Sequence, residues 1–156
     1  MKTRNQIFRL IFILFIISSL LNFFWESLHA FSMYSPSSIP NNLFDYVKLM
    51  TYVATIDGLL ILLMYGIISL IWRDLFWINK INNKSIKLQI LTFIISGLII
   101  ATLIEYHALF IADKWSYNET MPTLFGIGLS PLIQLVVTGL VALFVVRKFL
   151  FLHSKN

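Results

Sequence analysis

LIFILFIISSLLNFFW, residues Leu10 to Trp25, carries no charged side chain, and its apolar pattern runs on past Glu26 to about Ser32. That supplies roughly the 20 residues a helix needs to cross the hydrocarbon core of a bilayer. The stretch predicts a first span over residues 10–32. The competing reading is a secretory signal peptide, since a basic start and an apolar core belong to both. Against it, Glu26 and Phe23-Phe24-Trp25 stand where small residues precede a cleavage site, and Leu28 two places before Ala30 spoils the small-x-small pattern.

The rest of the chain repeats the pattern. Ser35-Pro36-Ser37-Ser38-Ile39-Pro40-Asn41-Asn42 is a turn-forming cluster and predicts the first exposed loop, with Leu43 to Lys48 a short interfacial turn after it. A second span follows over 49–72, interrupted only by Asp57, and a third over 88–112, with Glu105 and His107 in its last third. Residues 73–87 form a connecting loop in which Trp77, Asn79, Asn82 and Asn83 suit a membrane interface, with Trp77 and the preceding Trp72 reading as anchors. Residues 113–122 form the other exposed loop, and a fourth span runs over 123–146. Pro131 lies in the first half of that span, where neighbouring groups must satisfy the carbonyl a proline frees. The expectation is all-α: one transmembrane domain over residues 1–156, a four-helix bundle.

Composition agrees. Hydrophobic residues make up 58% and charged residues 12%, with mean hydropathy +0.83, against about 45–50% and 25% in soluble domains. The 12 Lys and Arg and 7 Asp and Glu are too few for a solvated shell. The partner expected is therefore the lipid bilayer. The absence of cysteine excludes disulfides, thiolate metal sites and cysteine nucleophiles. A net charge of +5 invites a nucleic-acid reading, but the basic residues flank apolar runs and form no dense stripe, so no nucleic acid is expected. Lys2, Arg4 and Arg9, then Arg73, Lys80, Lys84 and Lys87, then Arg147, Lys148 and Lys155 fall on one side; only Lys48 and Lys114 fall on the other. The positive-inside rule then puts both termini in the cytoplasm, N-in and C-in.

Charge within the spans is costly, about 2.5–3.5 kcal/mol for an acidic or basic side chain at mid-bilayer on insertion scales. Glu26, Asp57 and Glu105 all fall in the outer halves of their predicted helices and can converge at one depth. Ser18 or Ser19, Asn22, Glu26 and His29 recur at helical spacing and share one face. His107 lies about 200° around the helix from Glu105, so the two cannot address one point. Gly126, Ser130, Gln134 and Thr138 form a small, polar stripe of the kind membrane helices use for contact. The sequence thus offers a polar binding pocket of Asn22, Glu26, His29, Asp57, Glu105 and Gln134, with Trp115 and Tyr117 either capping it or forming an interfacial belt. The competing reading leaves Glu26 and Glu105 at headgroup depth, hydrated or paired with Lys48 or Lys114.

Glu26-x-x-His29 has the spacing of carboxylate-bridged metal sites, but those need a second such pair, and only one is present. No metal and no cofactor is expected; histidine spacing gives no basis for haem. Asn118-Glu119-Thr120 fits a glycosylation sequon, which has meaning only in a secretory membrane. Three functions remain open. The first is binding or helping to transport a small molecule, ion or lipid, where four spans call for a homo-oligomer or another membrane protein as partner. The second is a structural or assembly subunit. The third is a membrane-embedded enzyme on a lipid or polyprenyl substrate, for which no phosphate loop, paired-aspartate motif or nucleophile elbow is present.

Trp25-Glu26, Asp57-Gly58, Glu105, Trp115-x-Tyr117-x-x-x-Met121-Pro122 and Gly128-Leu129-Ser130-Pro131-Leu132-Ile133-Gln134 together resemble a group of small prokaryotic four-helix integral membrane proteins. The likeness covers most of the chain and is specific in its last third. It implies a cell inner membrane location and, since no activity is established for the group, no chemical role for any residue.

Overall fold

The computed structural model describes residues 2–80 and 84–152. Asn82, Asn83 and Lys155, named above, lie outside the described residues. The chain is helical: α1 (Lys2–Met33), α2 (Leu43–Ile71), α3 (Lys84–Tyr106) and α4 (Leu129–Arg147), with π-helical turns extending α3 over His107–Ile111 and α4 over Lys148–Leu152. Among the described residues four helices are long and apolar enough to cross a membrane. Their outward faces carry Phe24, Leu28, Phe31, Leu70, Leu103 and Phe144, all exposed. Four such helices with apolar outward faces are consistent with a multi-pass membrane protein.

Each helix packs on its neighbour in sequence, α4 closes the ring against α1, and α2 meets α4 across the diagonal. The core is centred on Leu10, Leu14, Ile61, Met64, Ile68, Phe93, Ala142 and Val146, all buried. On α1 the buried face steps through Leu10, Leu14, Ser18, Asn22, Glu26 and Ala30 at four-residue intervals, so the polar face read from the sequence does point inward.

Two helix starts and the place of Trp77 differ from expectation. The second helix begins at Leu43, not near residue 49, because Asn42 caps it: its side-chain oxygen accepts from the Asp45 N–H at 2.9 Å. The Tyr46 hydroxyl then donates to the Ser27 carbonyl at 2.8 Å and holds this first stretch against α1. The fourth helix begins at Leu129, not near residue 123. The apolar residues before it form an antiparallel hairpin, Thr123–Leu124 with Ile127–Gly128, turning on Phe125 and Gly126, both at positive φ (52° and 81°) as a type I′ turn requires. Pro131 consequently sits in the first turn of α4, where no intrahelical N–H is needed and no carbonyl is freed. Finally, Trp77 is no interfacial anchor. It is 1% exposed and stacks on Tyr65, with ring centroids 5.4 Å apart, while the Tyr65 hydroxyl donates to the Leu75 carbonyl and draws the 73–80 turn into the core.

Helix contact depends on small residues. A Cβ at Gly139 would lie 2.6 Å from Cζ of Phe93, whereas one at Gly66 would meet nothing within 4 Å. Gly139→Val is therefore expected to destabilise the bundle by about 1–3 kcal/mol through overpacking, while Gly66→Ala leaves it unchanged or gains up to about 1 kcal/mol of helix propensity. Thermal unfolding of the two variants in detergent checks this, and equal midpoints would show that the α3–α4 contact is not tight.

Candidate functional site

The polar side chains gather at the end of the bundle where α1 and α3 finish and α2 and α4 begin. At its base, Asn22 donates through Nδ2 to the Ser18 carbonyl at 2.9 Å, which turns its oxygen toward α4. That oxygen accepts from Gln134 Nε2 at 3.0 Å and from the Thr138 hydroxyl at 3.1 Å. The same Gln134 nitrogen lies 2.6 Å from Glu26 Oε1 and 3.0 Å from Asp57 Oδ2. A primary amide has two hydrogens. Three acceptors therefore compete for two donated protons, and one of them always depends on another donor.

Glu105 closes the group from α3. One of its oxygens accepts from the Trp115 indole N–H at 3.3 Å and from the Tyr117 hydroxyl. Burial, followed by the hydrogen bond to Glu105 and its charge, pushes the Tyr117 phenol above its ordinary range, so at neutral pH it is a donor. The loop carrying both rings is stitched to the end of α1. The Ser35 N–H donates to the Ser116 carbonyl at 2.9 Å, the Asn118 N–H to the Met33 carbonyl at 3.0 Å and the Ser35 hydroxyl to the Tyr117 carbonyl at 3.0 Å. Tyr34 fills the space between, its ring 5.7 Å from Tyr117 and 6.1 Å from Trp115.

Between these groups lies a cavity of about 100 Å³ whose walls include Glu26, Asp57, Glu105, Gln134, Trp115 and Tyr34, with Met50, Ala101 and Pro131 as apolar surface. Glu26 is 8% and Glu105 6% exposed. Among the described residues no Lys or Arg lies within ion-pair distance of any of the three acids; the ion pair that does form, Lys80 with Asp74 at 2.7 Å, is at the other end of the bundle. The expected pairing of Glu26 or Glu105 with Lys48 or Lys114 is not found among the described residues: the inward helix faces leave both carboxylates among protein groups.

Not every expected residue reaches the cavity. Asn22 lies beneath it and acts on Gln134. Tyr117 reaches it through Glu105. His29 is 3% exposed and packs on Tyr34 at 4.9 Å, but neither ring nitrogen has a hydrogen-bond partner among the described residues and it does not line the cavity. His107 is exposed, as its angle from Glu105 requires. Gly126 belongs to the hairpin and drops out of the α4 stripe, while Gln134 and Thr138 are buried. Tyr34, at the centre of the aromatic group, had no sequence signal, since it follows the first span as one aromatic residue among many.

Interhelical polar contacts in membranes average about 0.6 kcal/mol and reach about 1.7. Because Gln134 serves two helices, the double-mutant cycle of Asn22→Ala with Gln134→Ala is expected near the upper end of that range, read from unfolding in detergent; a coupling indistinguishable from zero would remove the network from the account of stability. No protein-family model, no curated protein and no solved structure matches the chain, so the functional reading rests on this geometry alone.

Proposed function

We propose that this chain is an integral membrane protein with both termini in the cytoplasm that binds a small, positively charged organic molecule in the outer half of the bilayer. Ten basic residues against two support the orientation, which puts the cavity on the outer side. The observation that carries the binding reading is the set of three carboxylates, from three different helices, around one cavity of about 100 Å³ with no basic partner among the described residues. Buried acids in a bundle of apolar helices are expensive, and a cation is the ligand that repays them. Gln134 has two protons for Glu26 and Asp57 while the Thr138 hydroxyl can serve Asn22, and the remaining carboxylate lone pairs are what a further N–H donor would meet. Tyr34 and Trp115 line the cavity, and aromatic rings attract an ammonium through cation–π interaction. Among the described residues no three His, Asp and Glu converge as metal ligands, which favours an organic cation over a metal ion.

A structural subunit is the second reading, favoured by Gln134, whose one amide joins α4 to both α1 and α2. The two differ in what the acids do for stability. In a binding site the buried acids cost stability in the absence of ligand, so Glu26→Gln and Asp57→Asn leave the unfolding midpoint unchanged or raise it; in a structural network they lower it.

The test uses full-length protein in lipid nanodiscs, with propylammonium and its neutral analogue 1-propanol as probes in calorimetric titration. Propylammonium is expected to bind and 1-propanol not, with Asp57→Asn or Glu105→Gln weakening the ammonium by about tenfold or more, the scale of a charged hydrogen bond. Equal response to both probes, or none, together with acid-to-amide variants that unfold earlier, would leave the structural reading standing.

A further inference from the structure

Where α2 ends and α3 begins, at the end of the bundle away from the acids, lies a cavity of about 290 Å³ walled by Trp72, Arg73, Asp74, Lys80, Ser85 and Gln89. All but Trp72 are polar or charged. Asp74 is already engaged: one carboxylate oxygen accepts from Lys80 at 2.7 Å and the other from the Phe76 N–H at 3.1 Å. The Lys80 side chain is 60% exposed and has two further ammonium protons to give. Arg73 is exposed and has no ion-pair partner among the described residues. The Trp72 indole N–H is buried, so that residue offers the cavity its ring and no donor.

Gln89 forms the inner wall. It follows Ser85 by one turn of α3 and shares its face, and it is only 5% exposed. Among the described residues its amide has no hydrogen-bond partner, yet its polar atoms are not sealed off as the Trp72 nitrogen is. What surface the amide keeps opens on the cavity. A buried amide without partners is costly, so a group that bonds to it there is favoured. The walls hold more donors than acceptors: the Arg73 guanidinium, the Lys80 ammonium and the Gln89 NH2 face one amide oxygen and an aspartate whose oxygens are both occupied. The Lys80–Asp74 pair cancels its own charge. Arg73 is left as an uncompensated positive charge, and the positive end of the α3 dipole adds to it. Donors converging from a helix end, a turn and a helix start fit the several oxygens of a phosphate, for which an arginine fork and a helix N-terminus are both suited.

We propose that this cavity binds a phosphate group, held by Arg73 and Lys80 on its exposed side and by the Gln89 amide on its buried side, and carried by a soluble ester or by the head of an acidic phospholipid. The site shares no residue with the acidic cavity and stands whether or not that cavity takes a cation.

Nuclear magnetic resonance of the full-length protein in maltoside micelles, which contain no phosphate, tests it, with nitrogen-15 in the side-chain amides of the three glutamines, Gln6, Gln89 and Gln134. Gln89→Leu identifies the Gln89 signal. Glycerol 3-phosphate or phosphatidylglycerol is expected to move that signal saturably and to leave Gln134, at the acidic end, in place; potassium chloride of equal ionic strength moves neither. Arg73→Gln weakens the response about tenfold, the scale of a charged hydrogen bond. A shift with phosphatidylglycerol alone assigns the phosphate to a lipid head, one with glycerol 3-phosphate alone to a soluble ester, and one with both to either carrier. A Gln89 signal that neither probe moves, or that chloride moves as far, overturns the proposal and leaves a crevice filled by water. An affinity that Arg73→Gln does not change overturns it too. Should that variant not fold, the wild-type contrast of the two phosphate probes with chloride decides.

Discussion

The amide of Gln134 is the contact on which the polar end of the bundle depends. From α4 it reaches Asn22 and Glu26 on α1 and Asp57 on α2 with a single nitrogen. Among apolar helices, polar side chains gain nothing from packing and lose several kcal/mol each when left without partners. The depth and rotation of α4 relative to α1 and α2 are therefore set by where that nitrogen must lie. Asn22 is itself oriented by the Ser18 carbonyl, so the constraint runs down α1 to the level where the core becomes wholly apolar.

The hairpin before α4 serves the same end. Continuing the helix back through residues 123–128 would carry Gly128, Met121 and Pro122 away from Tyr117. Instead, the Leu129 N–H donates to the Pro122 carbonyl at 2.8 Å and the chain turns back beneath the loop that holds Trp115 and Tyr117. A Cβ on Gly128 would stand 2.9 Å from the Tyr117 ring, so the absence of a side chain there lets the ring reach Glu105. Backbone and aromatic loop thus seal the cavity from one side while the acids of α1, α2 and α3 line the other.

The two ends of the molecule are chemically opposed. One gathers three carboxylates from three helices around a cavity; the other holds a cavity walled almost wholly by apolar surface, beside Trp77 and Arg147. Between them lies a core of Leu, Ile, Met and Phe with close glycine contacts at Gly97 and Gly139. Each end is built by side chains from helices far apart in sequence, so neither is a property of any one segment.

The sequence by itself determined the four apolar helices and the polar face of α1, because hydropathy and helical period are local and need no partner. It also held the divergence of His107 from Glu105, which follows from 100° per residue. Only the tertiary structure decided where α2 and α4 begin: a cap and a tyrosine hydroxyl lengthen the one, and a hairpin shortens the other, in stretches whose composition suits helix, strand or turn alike. It also decided that Trp77 is core, that Tyr34 stands among the acids, and that His29 shares their level without sharing their cavity. Those outcomes turn on which side chains from distant segments meet, and apolar periodicity says which face turns inward but not what it will find there.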